Sequence, residues 1–97
     1  MEVIYASGVL EEVSESANYY EEEVEGLGKT FLDKVQSAVE EVKSNPLMYR
    51  IIQGDYRRHL LSRFPFAVIY RIENQKIYVL AVMHLKRSPN YWRSRTT

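Results

Sequence analysis

Two stretches in the first half of the chain repeat their apolar residues every three or four positions, which is the spacing of one face of an α-helix. They cover residues 9–24 and 27–42, and their apolar members are Val9, Leu10, Val13, Ala17, Tyr20, Val24, Leu27, Phe31, Leu32, Val35, Ala38, Val39 and Val42. Ser7 offers a hydroxyl to cap the first helix, a Gly-Leu-Gly segment at 26–28 separates the two, and Pro46 ends the second. We therefore expect an antiparallel pair of helices.

The remaining apolar segments are rich in β-branched and aromatic residues, which favour strands. A first strand is predicted at residues 3–6, and three more at 57–61, 66–72 and 76–84. The last three are joined by short connections, so they should form an antiparallel meander. Residues 77–83 are apolar on both faces and should lie inside the sheet. The order β-αα-βββ predicts an α+β fold, in which an antiparallel sheet packs against the helix hairpin.

The composition favours a small protein of the cytoplasm. A chain of 97 residues is long enough for one domain, which we place at residues 1–97. It contains no cysteine, so no disulfide or thiolate metal site supports the fold. The N-terminus lacks the basic start and apolar run of a secretory signal. No stretch reaches the roughly 18–20 apolar residues that a membrane span needs, so we expect no membrane partner.

The net charge of zero conceals opposite charges in the two parts of the chain. Residues 1–56 carry 12 acidic and 4 basic side chains, whereas residues 57–97 carry 1 acidic and 9 basic side chains. Most acids of the first helix should form a solvated face, and these are Glu11, Glu12, Glu15, Glu21, Glu22, Glu23 and Glu25. The basic part favours a surface for an anionic partner on the uncovered sheet face or at the strand ends, although the two parts could also attract each other within the fold.

The basic part ends in a segment, residues 84–95, with a dense set of chemically active side chains. It has no acid and contains, in order, His84, Lys86, Arg87, Tyr91, Trp92, Arg93 and Arg95. A histidine can transfer protons near neutral pH, arginines bind phosphate, and aromatic rings stack on bases. The segment fits a solubilising tail, a surface for an anionic partner, or a phosphodiester-cleaving site in which Arg57 and Arg63 join Arg87 in binding phosphate.

Other kinds of site find little support. The "GLGK" segment lacks the spacing and the Ser or Thr of a phosphate-binding P-loop. Two histidines without cysteine argue against a metal centre. Glu73 is the one acid of the basic part, so no pair of carboxylates is available there, and Ser62 or Ser88 would need a distant acid to form a Ser-His-Asp triad. We therefore expect no metal and no cofactor.

Four segments of the chain, taken in order, are "ANYYEEE", "LGKTFLDKVQSAVEEVKSNP", "RRHLLSRFPFAVIYRI" and "VLAVMHLKRSPNYWRSR". Together they resemble the RelE/ParE superfamily of bacterial toxins from type II toxin–antitoxin systems, and the resemblance covers almost the whole chain. It implies the same β-αα-βββ fold. It also implies a growth inhibitor that a cognate antitoxin neutralises by wrapping it, with operator DNA bound only through the antitoxin.

Two activities occur in this superfamily. RelE-like members are ribosome-dependent mRNA endoribonucleases with a set of basic residues and a C-terminal tyrosine, whereas ParE-like members lack that set and are associated with poisoning of DNA gyrase. Arg87 and Arg58 match basic positions of the nuclease set, Tyr91 matches the tyrosine loosely, and His84 resembles a histidine that some relatives use. The nuclease arginine that precedes a "Val-Ile-Tyr"-like triplet falls on Ala67, which removes a fixed positive charge.

The favoured hypothesis is a ParE-like toxin that acts by binding DNA gyrase, with no catalytic residue assigned. The "FPF" and "RSPNYWRSR" segments also resemble the ParE-like branch more closely. The residues expected to face the target are Arg57, Arg63, His84, Arg87, Tyr91 and Trp92. One alternative is a ribosome-dependent mRNA endoribonuclease, with His84 as acid or base and Arg87 on the phosphate. Another is an inactive toxin or a basic nucleic-acid-binding module.

An apolar cluster indicates where the antitoxin would bind. Leu47, Met48, Ile51 and Ile52 lie in a connection, and we do not expect all four to be buried there. A segment of the antitoxin could cover them. Local packing beneath the connection is the alternative.

Overall fold

The structure, a computed structural model, describes residues 1–87 and 90–95. Its elements are β1 (Glu2–Tyr5), α1 (Val9–Glu23), α2 (Leu27–Ser44), β2 (Arg50–Gln53), β3 (Tyr56–Leu60), β4 (Phe66–Glu73) and β5 (Lys76–His84). The strands form one sheet in the order β1-β5-β4-β3-β2, and both helices pack against it. The predicted α+β fold with a helix hairpin on a sheet is confirmed. Ser88 and Pro89, which belong to the basic segment singled out in the sequence, lie outside the described residues.

The sheet differs from the prediction in two respects. It contains an additional strand, β2, and it is mixed, because β1 runs parallel to β5 while the other neighbours are antiparallel. The apolar pattern misses β2 because only two of its four residues are apolar. Its signal is the Gly54–Asp55 turn that joins it to β3, since a Gly-Asp pair between two extended runs is typical of a hairpin. β5 lies between β1 and β4, inside the sheet as expected.

The helices agree with the predicted periodicity but not with the predicted cap. Gly8 occupies the N-cap of α1 at a φ of 92°, and no side chain of the described residues caps the helix, so the assignment of this role to Ser7 is wrong. Three members of the predicted apolar stripes are exposed, namely Leu10, Val24 and Leu32. A helix that packs on one side only buries a limited stripe, and these residues lie beyond it. Neither described helix is long and apolar enough to cross a membrane.

The two helices approach closely just after the connection between them. A Cβ atom at Gly28 would lie 2.6 Å from the backbone oxygen of Ala17, which is too close for any carbon atom. The carboxylate of Glu21 accepts hydrogen bonds from the N–H groups of Gly26 at 2.9 Å and Gly28 at 3.0 Å. The first N–H groups of α2 therefore have a hydrogen-bond acceptor on α1.

Four aromatic rings join the helix pair to the sheet. Tyr20 of α1 and Phe31 of α2 contact Phe64 and Phe66, with ring-centroid distances between 4.8 and 6.2 Å. All four of these contacts are edge-to-face, and each such contact contributes roughly 0.5–1.5 kcal/mol beyond the burial of its area. Phe66 begins β4, so its side chain marks the face of the sheet that the helices cover.

The opposite face of the sheet is covered in part by the C-terminal tail. Trp92 is 1% exposed, and its ring lies 4.8 Å from that of Tyr56 on β3. Arg57 donates a hydrogen bond to the connection after α2, so its side chain is on the helix side of the sheet. Tyr56 is one position earlier on the same strand and therefore points away from the helices. Ala67 and Ile69 are fully buried on that same face. Trp92 therefore belongs to a second core layer, and the expectation that the helices leave this whole face free is wrong.

Replacing Trp92 with Ala should lower the free energy of unfolding by about 3–5 kcal/mol, because it empties a fully enclosed site. Urea denaturation followed by circular dichroism measures this change. The exposed neighbour Ser94, replaced with Ala, should change stability by no more than about 0.5 kcal/mol. Trp92→Phe should cost less than Trp92→Ala, since the indole N–H has no partner among the described residues. A loss below about 1 kcal/mol for Trp92→Ala would contradict a core role for the tail.

Candidate functional site

Glu12 of α1 connects the helix layer, the sheet and the tail. Its carboxylate accepts hydrogen bonds from the N–H of Val82 at 3.0 Å and from the guanidinium of Arg95 at 3.2 Å. The hydroxyl of Tyr91 donates a third bond, and Nη1 of Arg87 lies 3.6 Å away. The Glu12 side chain is 10% exposed, so its charge is held away from water. Two cations and two further donors compensate for that loss of hydration.

These bonds close a part of the sheet edge that no strand within residues 1–87 and 90–95 covers. β1 pairs with β5 only as far as Val79. Beyond that point the guanidinium of Arg95 donates to the carbonyl oxygen of Leu80 at 3.0 Å, and Glu12 accepts from the N–H of Val82. A pair of oppositely charged side chains thus takes the place of a neighbouring strand. It satisfies backbone groups whose burial without a partner would be costly.

A cavity of about 500 Å³ lies beside this cluster, between α1 and the end of β5. Tyr19 and Tyr20 of α1 line it, together with Phe66, His84 and Arg87. The His84 ring contacts that of Phe66 at 5.1 Å, and its Nδ1 accepts a hydrogen bond from a backbone N–H two residues later. In the neutral ring the proton is therefore on Nε2. No group of three or more His, Cys, Asp or Glu side chains within residues 1–87 and 90–95 could hold a metal ion.

Tyr91 is placed among charged side chains. The Cζ atoms of Arg87 and Arg95 lie 3.9 and 5.1 Å from its ring centroid, which is within cation–π distance. Burial, and then the hydrogen bond to Glu12, raise the pKa of Tyr91 well above its ordinary value of 10.0. The hydroxyl therefore stays protonated and acts as a donor. Arg87 is 56% exposed, so an external ligand can reach it.

Arg63 lies at the same end of the molecule as His84. It is exposed in the loop between β3 and β4, with a φ of 71°. This loop adjoins the end of β5, because the N–H of Leu85 donates to the carbonyl oxygen of Pro65 at 2.9 Å. The structure thus brings Arg63 to the same end of the sheet as His84 and Arg87, which lie three positions apart at the end of β5.

Arg57 is engaged elsewhere, with the connection between α2 and β2. Its Nη1 donates to the carbonyl oxygens of Leu47 at 3.1 Å and Tyr49 at 2.8 Å. The hydroxyl of Tyr70 donates to the carbonyl oxygen of Pro46 at 2.6 Å, and burial raises the pKa of Tyr70 to about 12. These bonds fix the backbone of the connection, and they occupy the guanidinium that sequence reasoning assigned to the target.

The connection presents an apolar patch, which we define as Leu47, Met48 and Ile51. These side chains are 69%, 64% and 51% exposed. Ile52, the fourth member of the predicted set, is partly buried and packs against the core. The patch therefore lies at the surface on a backbone that side-chain hydrogen bonds hold in place.

The candidate nuclease residues do not share one face of the sheet. Arg58 pairs with Ile69, and His84 pairs with Phe66. Ile69 and Phe66 are three positions apart on β4, so they point to opposite faces, and paired residues point to the same face. Arg58 thus points away from the helices and His84 towards them. Ala67, at the position of the nuclease arginine, is fully buried.

Glu12 is the central residue that sequence reasoning missed. The helical pattern places it among acids of a solvated face, and its bonding partners Val82 and Arg95 lie 70 and 83 residues away in the sequence. The one local signal is its position three residues after Val9 and directly before Val13, at the border of the apolar stripe. A carboxylate at such a border can turn either to water or to the sheet.

The sequence matches the family model of the ParE toxin of type II toxin–antitoxin systems, parDE, over residues 3–89. The chain belongs to the ParE toxin family. This membership confirms the superfamily resemblance, and it makes the protein a toxin of the type II toxin–antitoxin class. No curated protein sequence matches it.

A solved structure described as the chromosomal ParDE TA system from P. aeruginosa has a fold similar to that of this ParE-family toxin. The TM-score is 0.65 and the sequence identity 22%, over 87% of this chain and 95% of that one. At such an identity the likeness concerns the fold alone. This structural likeness does not use the spacing of apolar residues from which the helices and strands were predicted, and it leads to the same fold.

Replacing Glu12 with Ala should lower the free energy of unfolding by about 2–4 kcal/mol, because it leaves the Val82 N–H without its acceptor and removes the partner of two cations. Thermal and urea unfolding measure the loss. Glu11→Ala provides a matched control on the same helix turn, where an exposed carboxylate should contribute no more than about 0.5 kcal/mol. Equal stability of the two variants would refute the role assigned to Glu12.

Proposed function

We propose that this ParE-family toxin inhibits bacterial growth by binding DNA gyrase and does not cleave RNA. The observation that supports binding over cleavage is the placement of Arg58 and His84 on opposite faces of the sheet. A phosphodiester-cleaving site needs its proton-transfer group and its cations within reach of one phosphate. The third basic position is a buried alanine, Ala67, and Tyr91 is bound to a carboxylate. Gyrase is the target that the ParE-like resemblance implies.

The proposed gyrase-binding surface is the end of the sheet that carries Arg63, His84 and Arg87. All three side chains are at least partly exposed. Tyr91 supports Arg87 through the stacking described above, and Trp92 fixes the tail from the core. These two aromatics therefore contribute to the surface mainly by positioning it.

Expression of the chain alone in growing bacteria should stop thymidine incorporation before leucine incorporation, because DNA synthesis depends on gyrase directly. Pulse labelling over the first minutes measures the order. Arg87→Ala should weaken inhibition of supercoiling by purified gyrase roughly tenfold or more, as expected for the loss of one charged contact of about 1.5–3 kcal/mol.

Lys76→Ala is the matched control, since it removes a partly exposed cation at the start of β5, at the opposite end of that strand from His84. Early loss of leucine incorporation, together with loss of toxicity in a folded His84→Ala variant, would support the mRNA endoribonuclease instead. A folded chain that arrests neither process would be an inactive toxin. Either result would overturn the gyrase proposal.

We further propose that a cognate antitoxin neutralises the toxin by covering the apolar patch. Adjacent large apolar side chains at this level of exposure are typical of a docking surface. The hydrogen bonds from Arg57 and Tyr70 hold the backbone beneath the patch in the free toxin. Binding of a partner therefore loses less conformational entropy. The partner would supply apolar side chains, and it would itself recognise the operator DNA.

A double variant, Leu47→Asp with Met48→Asp, should no longer co-purify with the product of the neighbouring gene in the operon. Burial of each large apolar side chain contributes about 1.5–3 kcal/mol, and a carboxylate in its place must be dehydrated. Co-expression and affinity purification test this outcome. Leu10→Asp, at an exposed apolar position on α1, should leave the complex intact. Undiminished co-purification of the double variant would place the antitoxin elsewhere.

A further inference from the structure

Four arginines lie on the sheet face away from the helices, and one of them, Arg71, already pairs with Glu73 at 2.8 Å. Arg50 of β2 and Arg58 of β3 are directly opposite each other in the hairpin. The Cζ atom of Arg93 in the tail lies 5.6 Å from the ring centroid of Tyr56, the residue two positions before Arg58. We name Arg50, Arg58 and Arg93 the arginine cluster. Within the part of the chain that the structure describes, none of the three forms an ion pair.

Neighbouring contacts establish which face the arginine cluster occupies. The rings of Tyr49 and His59 stack at 3.8 Å, and His59 Nε2 lies 2.9 Å from a carboxylate oxygen of Glu41 on α2. Tyr49 and His59 are therefore on the helix side of the hairpin. Since side chains alternate along a strand, Arg50 and Arg58 are on the other side. The cluster is thus separated by the sheet from the helix-side cavity.

The Arg50–Arg58 pair is unfavourable for the hairpin by itself. Directly opposite residues of an antiparallel pair have Cβ atoms about 4.5–5.5 Å apart, and like charges at that distance destabilise the sheet. Asp55 is the acid nearest in sequence, but it lies in the turn and forms no ion pair with these arginines among the described residues. An anion between the two guanidinium groups would convert this repulsion into attraction.

We propose that the arginine cluster binds the phosphate backbone of a nucleic acid. This inference does not depend on the gyrase proposal, which concerns Arg63, His84 and Arg87 at one end of the sheet. All three cations are arginines, whose planar fork of N–H donors matches the oxygens of phosphate. The cluster is spread over an exposed surface instead of enclosing one anion, so a polymer with regularly spaced phosphates uses it better than a single ion. Tyr56 adds a partly exposed ring next to the cations.

Fluorescence anisotropy with a labelled oligonucleotide of mixed sequence, single-stranded and as a duplex, tests the proposal over a series of salt concentrations. The logarithm of the affinity should fall linearly with the logarithm of salt concentration. Arg50→Gln and Arg58→Gln should each weaken binding several-fold for every sequence and reduce that slope by about 0.7–0.9. Lys43→Gln, which removes one exposed cation from the last turn of α2, should leave the slope unchanged.

A stability measurement separates lost binding from lost folding. Because each Gln variant relieves a repulsion, its unfolding midpoint should equal or exceed that of the original chain. No oligonucleotide binding by the original chain would overturn the proposal, and so would equal slopes for the original and Arg58→Gln. Poly-glutamate that binds as tightly as the oligonucleotide, with the same dependence on Arg50 and Arg58, would show a surface for acidic proteins and would also overturn it.

Discussion

The carboxylate of Glu12 is the point on which the arrangement of the C-terminal half depends. It lies almost out of contact with water and has donors from β5 and from the tail. A carboxylate in this position is stable only with several charged or polar partners, so it draws Tyr91 and Arg95 to α1. The division of charge along the sequence has its physical meaning here, because part of the basic segment neutralises an acid of the first helix. Arg63 and the exposed part of Arg87 remain for an external partner.

The sheet separates the cations that its strands carry, because strand alternation decides to which face each one points. Arg57 and Arg58 are consecutive, yet Arg57 bonds to the connection after α2 while Arg58 points to the opposite side. A basic run in the sequence is therefore not one basic surface. Arg87 lines the helix-side cavity, whereas Arg58 and Arg93 lie on the face that carries Tyr56.

Much of the fold could be predicted from the sequence, because the periods of the apolar residues differ between helices and strands. β2 was not predicted, because it is a strand through its pairing with β3 and not through its own composition. Part of the site was also accessible: His84 and Arg87 are three positions apart at a strand end, so they had to be neighbours. The burial of Trp92 could not be predicted, because an aromatic ring among arginines suits a binding surface as well as a core. The role of Glu12 could not be predicted either, because its hydrogen-bond partners lie far away in the sequence.

The hydrogen bond from Val82 to Glu12 links a backbone amide of β5 to the docking of the tail. When the tail detaches, Glu12 loses its cations and can turn to water, and the Val82 amide then becomes free to exchange its hydrogen with solvent. The exchange rate at this one position therefore reports the free energy that holds the tail in place. A ligand that engages Arg87 without disturbing the Glu12 cluster would slow the exchange, whereas one that draws the tail away would accelerate it.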